Sequence, residues 1–303
     1  MLKNMKGNLI LLLTALIWGT AFVAQRDGMN HIGPYTFNAA RTFLAAVVLI
    51  PVVLVFKKIE KRSDDYKPID KKTTILGGIA CGACLGVAST LQQIGIVTTT
   101  AGKAGFITAL YVIIVPIIAL ILGNKPPKKI WICVVLAIVG FYFLCIKSDF
   151  SLSSGDAFIL ACAVGFAVHI TVIDSFLEKG ADALVMANIQ FWTAGILMLV
   201  PTFVFETPTI DGLVSARYSI LFTGIMSSAV AYTLQIIGQR YTTPAVATLI
   251  MSLESVFAAL AGWIILGENL SLKELLGCAL VFIAVILAQI DLKKIKNPKE
   301  KSV

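Results

Sequence analysis

Apolar residues in this chain fall in long unbroken runs rather than at the three- and four-residue spacing of a half-buried surface helix, and the charges collect in the short gaps between them. Ten such runs cover residues 7–25, 34–56, 74–97, 102–122, 130–146, 156–176, 184–205, 218–239, 244–266 and 272–290. Each is close to the roughly 20 residues that carry a helix across a bilayer core about 30 Å thick. The pattern predicts an all-α integral membrane protein of ten transmembrane helices. The first run has basic residues ahead of a leucine-rich core, as a secretory leader does. Its best cleavage point would follow Phe22-Val23-Ala24, where a bulky Phe is unfavourable, so it reads as a span.

Composition removes the soluble classes. Of the 303 residues 58% are hydrophobic and 14% charged, with a mean hydropathy of +0.89, whereas a soluble domain carries about 25% charged residues. The net charge of +8 resolves into topology. With the N-terminus in the cytoplasm, 19 basic residues fall on the inner side, against five outside (Arg26, Lys103, Lys147, Arg217, Lys273), and Arg41 is left within a span. The positive-inside rule then puts both termini in the cytoplasm of a multi-pass protein of the cell, or inner, membrane. The basic residues face an anionic leaflet and form no patch with interleaved aromatics, so no nucleic-acid partner is expected. All six cysteines lie inside apolar runs and imply no disulfide framework.

An internal repeat organises the runs. Thr90-Leu91-Gln92-Gln93-Ile94-Gly95 ends the third and Thr233-Leu234-Gln235-Ile236-Ile237-Gly238 ends the eighth, with five of six positions identical. Thr100 falls on Thr243, Leu122-Gly123 on Leu266-Gly267 with one residue of slippage, and Pro51 of the second run corresponds to Pro201 of the seventh. The chain divides into residues 1–150 and 151–303, five helices each. Five is odd, so the second unit enters the membrane from the opposite side, and the two units are inverted repeats. That architecture belongs to secondary transporters, with the substrate site near the midplane between the halves.

The residues also resemble a known family, the EamA group of the drug/metabolite transporter superfamily. Trp18-Gly19-Thr20-Ala21-Phe22 looks like its first-helix signature, Arg41 like the arginine of its second helix, and Leu253-Glu254-Ser255-Val256-Phe257-Ala258-Ala259-Leu260 with Leu266-Gly267-Glu268 like its ninth-helix pattern. Ser255 stands where the family usually has proline, which implies a ninth helix without the usual kink. The resemblance covers essentially the whole chain and implies a ten-helix secondary carrier, often an exporter of amino acids or related small metabolites, working by alternating access.

Ionisable groups at depth are costly in lipid and mark function. Helical rise puts Arg41 about 10 Å below the outer face and Glu254 about 15 Å from the inner one. Glu254 is a candidate for binding a proton or an amine, with an interhelical acceptor role as the alternative. Arg41 could hold helix ends, pair with a carboxylate or capture a substrate carboxylate. Lys103 could snorkel to the interface or attract anionic solutes at a gate, and His169 could relay protons or simply pack. Gln92 and Gln235 stand out among the uncharged polar residues because they recur in the repeat. Trp18 stays among the cavity candidates on the strength of the resemblance. Pro116, in the middle of the fourth run, removes a backbone bond to the Val112 carbonyl and predicts a kink and hinge there. Gly78, Gly82 and Gly86 make a small-residue packing face.

No phosphate-binding loop or zinc-hydrolase motif occurs, and Cys81-Gly82-Ala83-Cys84 lies in an apolar helix, so no catalytic residue, metal or cofactor is expected. The expected partners are the lipid bilayer, a small organic solute and, as a candidate coupling ion, the proton. The alternatives are a proton-coupled multidrug efflux carrier, although the first span has no acid before Asp27, an intramembrane enzyme, and a non-transporting scaffold.

Overall fold

The computed structural model describes residues 2–60, 70–99, 101–145, 153–266 and 271–289. The lysine-rich stretches 61–69 and 290–303, Lys147, Thr100 of the repeat and Gly267 and Glu268 of the ninth-helix pattern lie outside the described residues.

Every regular element among the described residues is helical: α1 (Leu2–Gly28), α2 (Pro34–Glu60), α3 (Lys71–Thr98), α4 (Ala101–Ala109), α5 (Tyr111–Ile121), α6 (Lys128–Cys145), α7 (Ser154–Glu178), α8 (Ala183–Phe205), α9 (Ile210–Ser215), α10 (Arg217–Leu221), a π-helical segment (Phe222–Tyr232), α11 (Thr233–Gln239), α12 (Pro244–Met251), α13 (Glu254–Leu266) and α14 (Leu272–Gln289). Nine stretches among the described residues are long and apolar enough to cross a membrane. The fifth expected run forms α6, which packs lengthwise on α14.

Helix ends in lipid need their orphan amides satisfied, and acidic side chains supply partners at three ends. Asp70 accepts from Lys72 N at 3.0 Å and Thr73 N at 3.3 Å, which holds its carboxyl below the usual carboxylate range. Asp182 caps α8 through Leu184 N at 2.9 Å and Val185 N at 3.0 Å. Glu206, just past α8, reaches across to the start of α2 and accepts from Tyr35 N at 3.0 Å and Thr36 N at 2.8 Å.

Two packing relations position the interior. In the first, α3 lies along α7 and α8. Its glycines permit this: a Cβ on Gly82 would come within 2.6 Å of the Gln190 carbonyl oxygen of α8, which bears out the small-residue face. In the second, α7 rests on α4 and α5, while α1 rests on α12 and α13. Gly19 of α1 is where this approach is closest, because a Cβ there would sit 2.7 Å from the Glu254 carbonyl oxygen.

Three expected continuous helices are interrupted. The fourth run breaks at Leu110, where Leu110 N bonds Ile107 O at 3.2 Å in a tightened three-residue turn. The ninth breaks at Ser252–Leu253, where Leu253 N bonds Ile250 O at 3.2 Å. These two bonds join residues 143 apart in sequence, the offset that sets Thr90 on Thr233. The first break lies six residues before Pro116, where the kink and hinge are expected, and Pro116 itself sits inside α5. The straight ninth helix implied by Ser255 is corrected. Hydroxyls take up carbonyls around the break, Ser252 Oγ bonding Leu249 O at 2.8 Å and Ser255 Oγ bonding Ser252 O at 2.7 Å, and such back-bonding bends helices without proline. The eighth run is the third case, with its middle in π-helical form.

Candidate functional site

Both helix breaks open on one buried cavity. It is walled by α1 (Trp18, Phe22, Gln25), α2 (Arg41), α3 (Gln92), the α4–α5 junction (Thr108, Tyr111), α7 (Phe166, Ile170), the π-helical segment and α11 (Ser227, Tyr232, Gln235) and the first residue of α13, Glu254. The space open to water inside is about 30 Å³, enough for one or two water molecules. The walls must separate before an organic solute can enter.

The polar groups are one guanidinium, one carboxyl, the Trp18 indole N–H and neutral amides and hydroxyls that both donate and accept. Arg41, 4% exposed, donates from Nε to Asn38 Oδ1 at 2.7 Å, and Asn38 Nδ2 donates to the Ser89 carbonyl at 2.8 Å. This chain, with the Phe37 ring 5.8 Å from the guanidinium, fixes the arginine between α2 and α3. Glu254, 3% exposed, stands across the cavity beside Tyr111. Tyr232 lies within electrostatic reach of both Arg41 and Glu254. Among the described residues the arginine and the glutamate form no ion pair. Four cavity oxygens also lack a hydrogen-bond partner there: Gln25 Oε1, Tyr111 Oη, Gln235 Oε1 and Glu254 Oε1. Buried polar atoms ordinarily find partners, so these four mark the cavity as a polar site that water or a polar solute would complete.

Of the residues singled out from sequence, the cavity gathers Glu254, Arg41, Gln92, Gln235 and Trp18. Gln92 Nε2 donates to Thr108 Oγ1 at 3.1 Å, and Trp18 Nε1 donates to the Ser227 carbonyl at 3.1 Å. Two candidates lie elsewhere. His169 is fully buried beneath the cavity wall, with Nε2 3.1 Å from Gln190 Oε1 and its ring edge-on to Tyr232 at 6.0 Å. Lys103 pairs with Asp156 Oδ2 at 2.5 Å at the far end of α4, where Thr99 Oγ1 and Ser153 N also bond the same carboxylate at 2.8 and 2.7 Å. That cluster joins α3 and α4 to α7 and takes no part in the cavity lining.

No sequence signal singled out Gln25, Thr108, Phe166 or Tyr232. For Tyr111 a signal existed, since it falls on Glu254 at the repeat offset of 143. Among the described residues no cluster of metal-ligating side chains occurs, and Cys81, Cys84, Cys133, Cys162 and Cys278 are free.

Comparison with known proteins bears on the family and the fold. A model described as the EamA-like transporter family matches the chain twice, over residues 5–146 and 153–289. An uncharacterized transporter of Archaeoglobus fulgidus is 31% identical over 291 residues, covering 95% of this chain and 87% of the relative. The uncharacterized inner membrane transporter YedA of Escherichia coli is 25% identical, covering 90% of this chain and 87% of the relative. A crystal structure 17% identical in sequence superposes with a TM-score of 0.75 over 98% of this chain and 99% of its own, which shows a shared fold.

Proposed function

From the premise that the chain belongs to the EamA-like transporter family and is a multi-pass membrane transporter, we propose that it exports or exchanges amino acids or closely related zwitterionic metabolites by alternating access. Two inverted five-helix units, residues 1–150 and 151–303, form ten spans with both termini cytoplasmic, and the cavity lies between the units near the membrane middle. The observation that carries the solute class is that one guanidinium and one carboxyl line the same small space. Arg41 and Glu254 face one small space without neutralising each other, and three further oxygens there lack donors. An α-amino acid supplies the missing partners. Its carboxylate meets the guanidinium, and its ammonium offers three N–H donors to Glu254, Gln235 and Gln25. Trp18, Phe22 and Phe166 give the side chain an apolar wall, and the Tyr111 hydroxyl adds one further hydrogen bond to the solute.

Coupling follows from the same carboxylate. Glu254 holds either the solute's ammonium or a proton, so a proton arriving from one side displaces the solute towards release. The equal placement of Tyr111 and Glu254 at the two breaks gives each half one polar side chain that moves with its own hinge. A cationic drug would leave Arg41 facing a like charge, which weighs against the multidrug reading.

The test is uptake of a pool of the twenty amino acids, with organic cations and nucleosides as further pools, into proteoliposomes of the purified chain, read by mass spectrometry. Uptake confined to zwitterions is expected. Uptake of the organic cations alone would overturn the solute assignment, and no uptake of any pool would favour a scaffold.

A further inference from the structure

The eighth span is wound differently from its counterpart. Its middle eleven residues, Phe222–Tyr232, are π-helical between the short α10 and α11, whereas residues 79–89, the positions 143 earlier, run through α3 without interruption. Long π-helical stretches are rare and usually appear as single turns at functional sites. A shared fold does not account for the difference, because both spans occupy equivalent places.

One side chain touches the wide form at both its backbone and its last residue. In a π ladder the Ser227 carbonyl accepts from the amide of Tyr232; in an α ladder it would accept from Ala231. Trp18 Nε1 donates to that same carbonyl at 3.1 Å, and its ring packs against Tyr232 with centroids 4.7 Å apart and the planes tilted by 58°. One turn earlier on α1, Thr14 Oγ1 reaches the Ala231 carbonyl at 3.5 Å. Moving the ladder from π to α by one residue would turn everything beyond it by about 100° and shift it by about 1.5 Å. Tyr232 and Gln235, both in the cavity wall, lie beyond it.

We infer that Trp18 is a positioning residue: it latches the π register of Phe222–Tyr232, and release of that latch to an α register carries Tyr232 and Gln235 out of the cavity wall as the transporter changes state. The segment would thus be the moving part of the second half, with the indole as its catch.

Backbone deuterium exchange on the full chain in lipid nanodiscs tests this without reference to any solute. Residues 222–232 should exchange roughly tenfold faster than residues 79–89, because interconversion of two ladders frees their amides. Trp18→Phe keeps an aromatic ring against Tyr232 and removes the N–H; it should speed exchange severalfold further, within 222–232 only. Deleting Met226, which faces lipid at 38% exposure, leaves one residue fewer to accommodate and closes an α ladder. That deletion should return the Trp18→Phe protein to the slow exchange of α3. Phe222, 36% exposed, is the second deletion site if the first does not fold, and if neither folds the Trp18→Phe result decides alone. Unchanged exchange in Trp18→Phe, acceleration spread equally along α1 and α8, or a folded deletion that fails to slow exchange would overturn the inference. A last arm rests on the transport reading. The deletion in the otherwise wild-type chain should fold and lose amino-acid flux, and flux at the wild-type rate would also overturn it. Should the wild type itself move none of the twenty amino acids, the solute assignment fails while the exchange arms still stand.

Discussion

Tyr111 and Glu254, 143 residues apart in sequence, each occupy the first helical position after the break in their span, and their side chains face each other in the cavity. Tyr111 and Glu254 lie within hydrogen-bonding reach of each other, and neither Tyr111 Oη nor Glu254 Oε1 has another partner among the described residues. Removing the hydroxyl with Tyr111→Phe therefore disturbs this one contact alone. The expected result is an unchanged melting temperature with solute affinity lowered about fivefold, the worth of one hydrogen bond of about 1 kcal/mol. Thermal unfolding beside equilibrium binding of the transported amino acid checks it; a drop in melting temperature with intact affinity would make Tyr111 structural.

The hinge of the fourth span is expected at Leu110, with Pro116 sustaining it. Pro116 offers no amide to the Val112 carbonyl, one turn beyond the break. Pro116→Ala restores that bond, and the straighter helix should slow transport several times more than it weakens binding. Comparing maximal flux with half-saturation for the variant decides, and equal losses in both would place the residue in the binding site.

Lys103 and Asp156 form a clasp at one end of the bundle, with Asp156 2% and Lys103 21% exposed. Three donors converge on the buried carboxylate, so Asp156→Ala should destabilise by about 2–3 kcal/mol, whereas Lys103→Gln should cost about 1 kcal/mol or less. Chemical denaturation in detergent micelles measures both. Equal costs would mean that the ion pair alone, without Thr99 and Ser153, makes the clasp.

Much of this was legible from residue order. Run lengths located the helices because lipid admits only segments that satisfy their own backbone, and the repeated Thr-Leu-Gln segment pointed to Gln92 and Gln235. What escaped was local. The breaks at Leu110 and Ser252 carry no proline or glycine, and serine hydroxyls competing for carbonyls leave no periodic trace. The π register of Phe222–Tyr232 is a choice of hydrogen-bond partner one residue further along, to which hydropathy is blind. Lys103 looked available as a gate residue because Asp156, 53 positions later, is brought to it only by the packing of α7 on α4.

The proposed orientation rests on the lysine distribution. A reporter after Val303 and one near Asp65 should both be cytoplasmic, because lysine-rich segments resist translocation. Periplasmic activity at either site would contradict ten spans with both termini inside.

The central claim is that Glu254 exchanges a solute ammonium for a proton in a cavity where Arg41 takes the carboxylate. In proteoliposomes, Glu254→Gln keeps the shape and an acceptor oxygen but cannot titrate. The measurement is amino-acid exchange at uniform pH beside net flux driven by a pH gradient, wild type against Glu254→Gln. The account predicts that exchange survives with affinity lowered roughly tenfold, the loss of one charge-assisted bond, while the pH gradient no longer drives flux. Net flux in the variant that follows the pH gradient as in the wild type would contradict it.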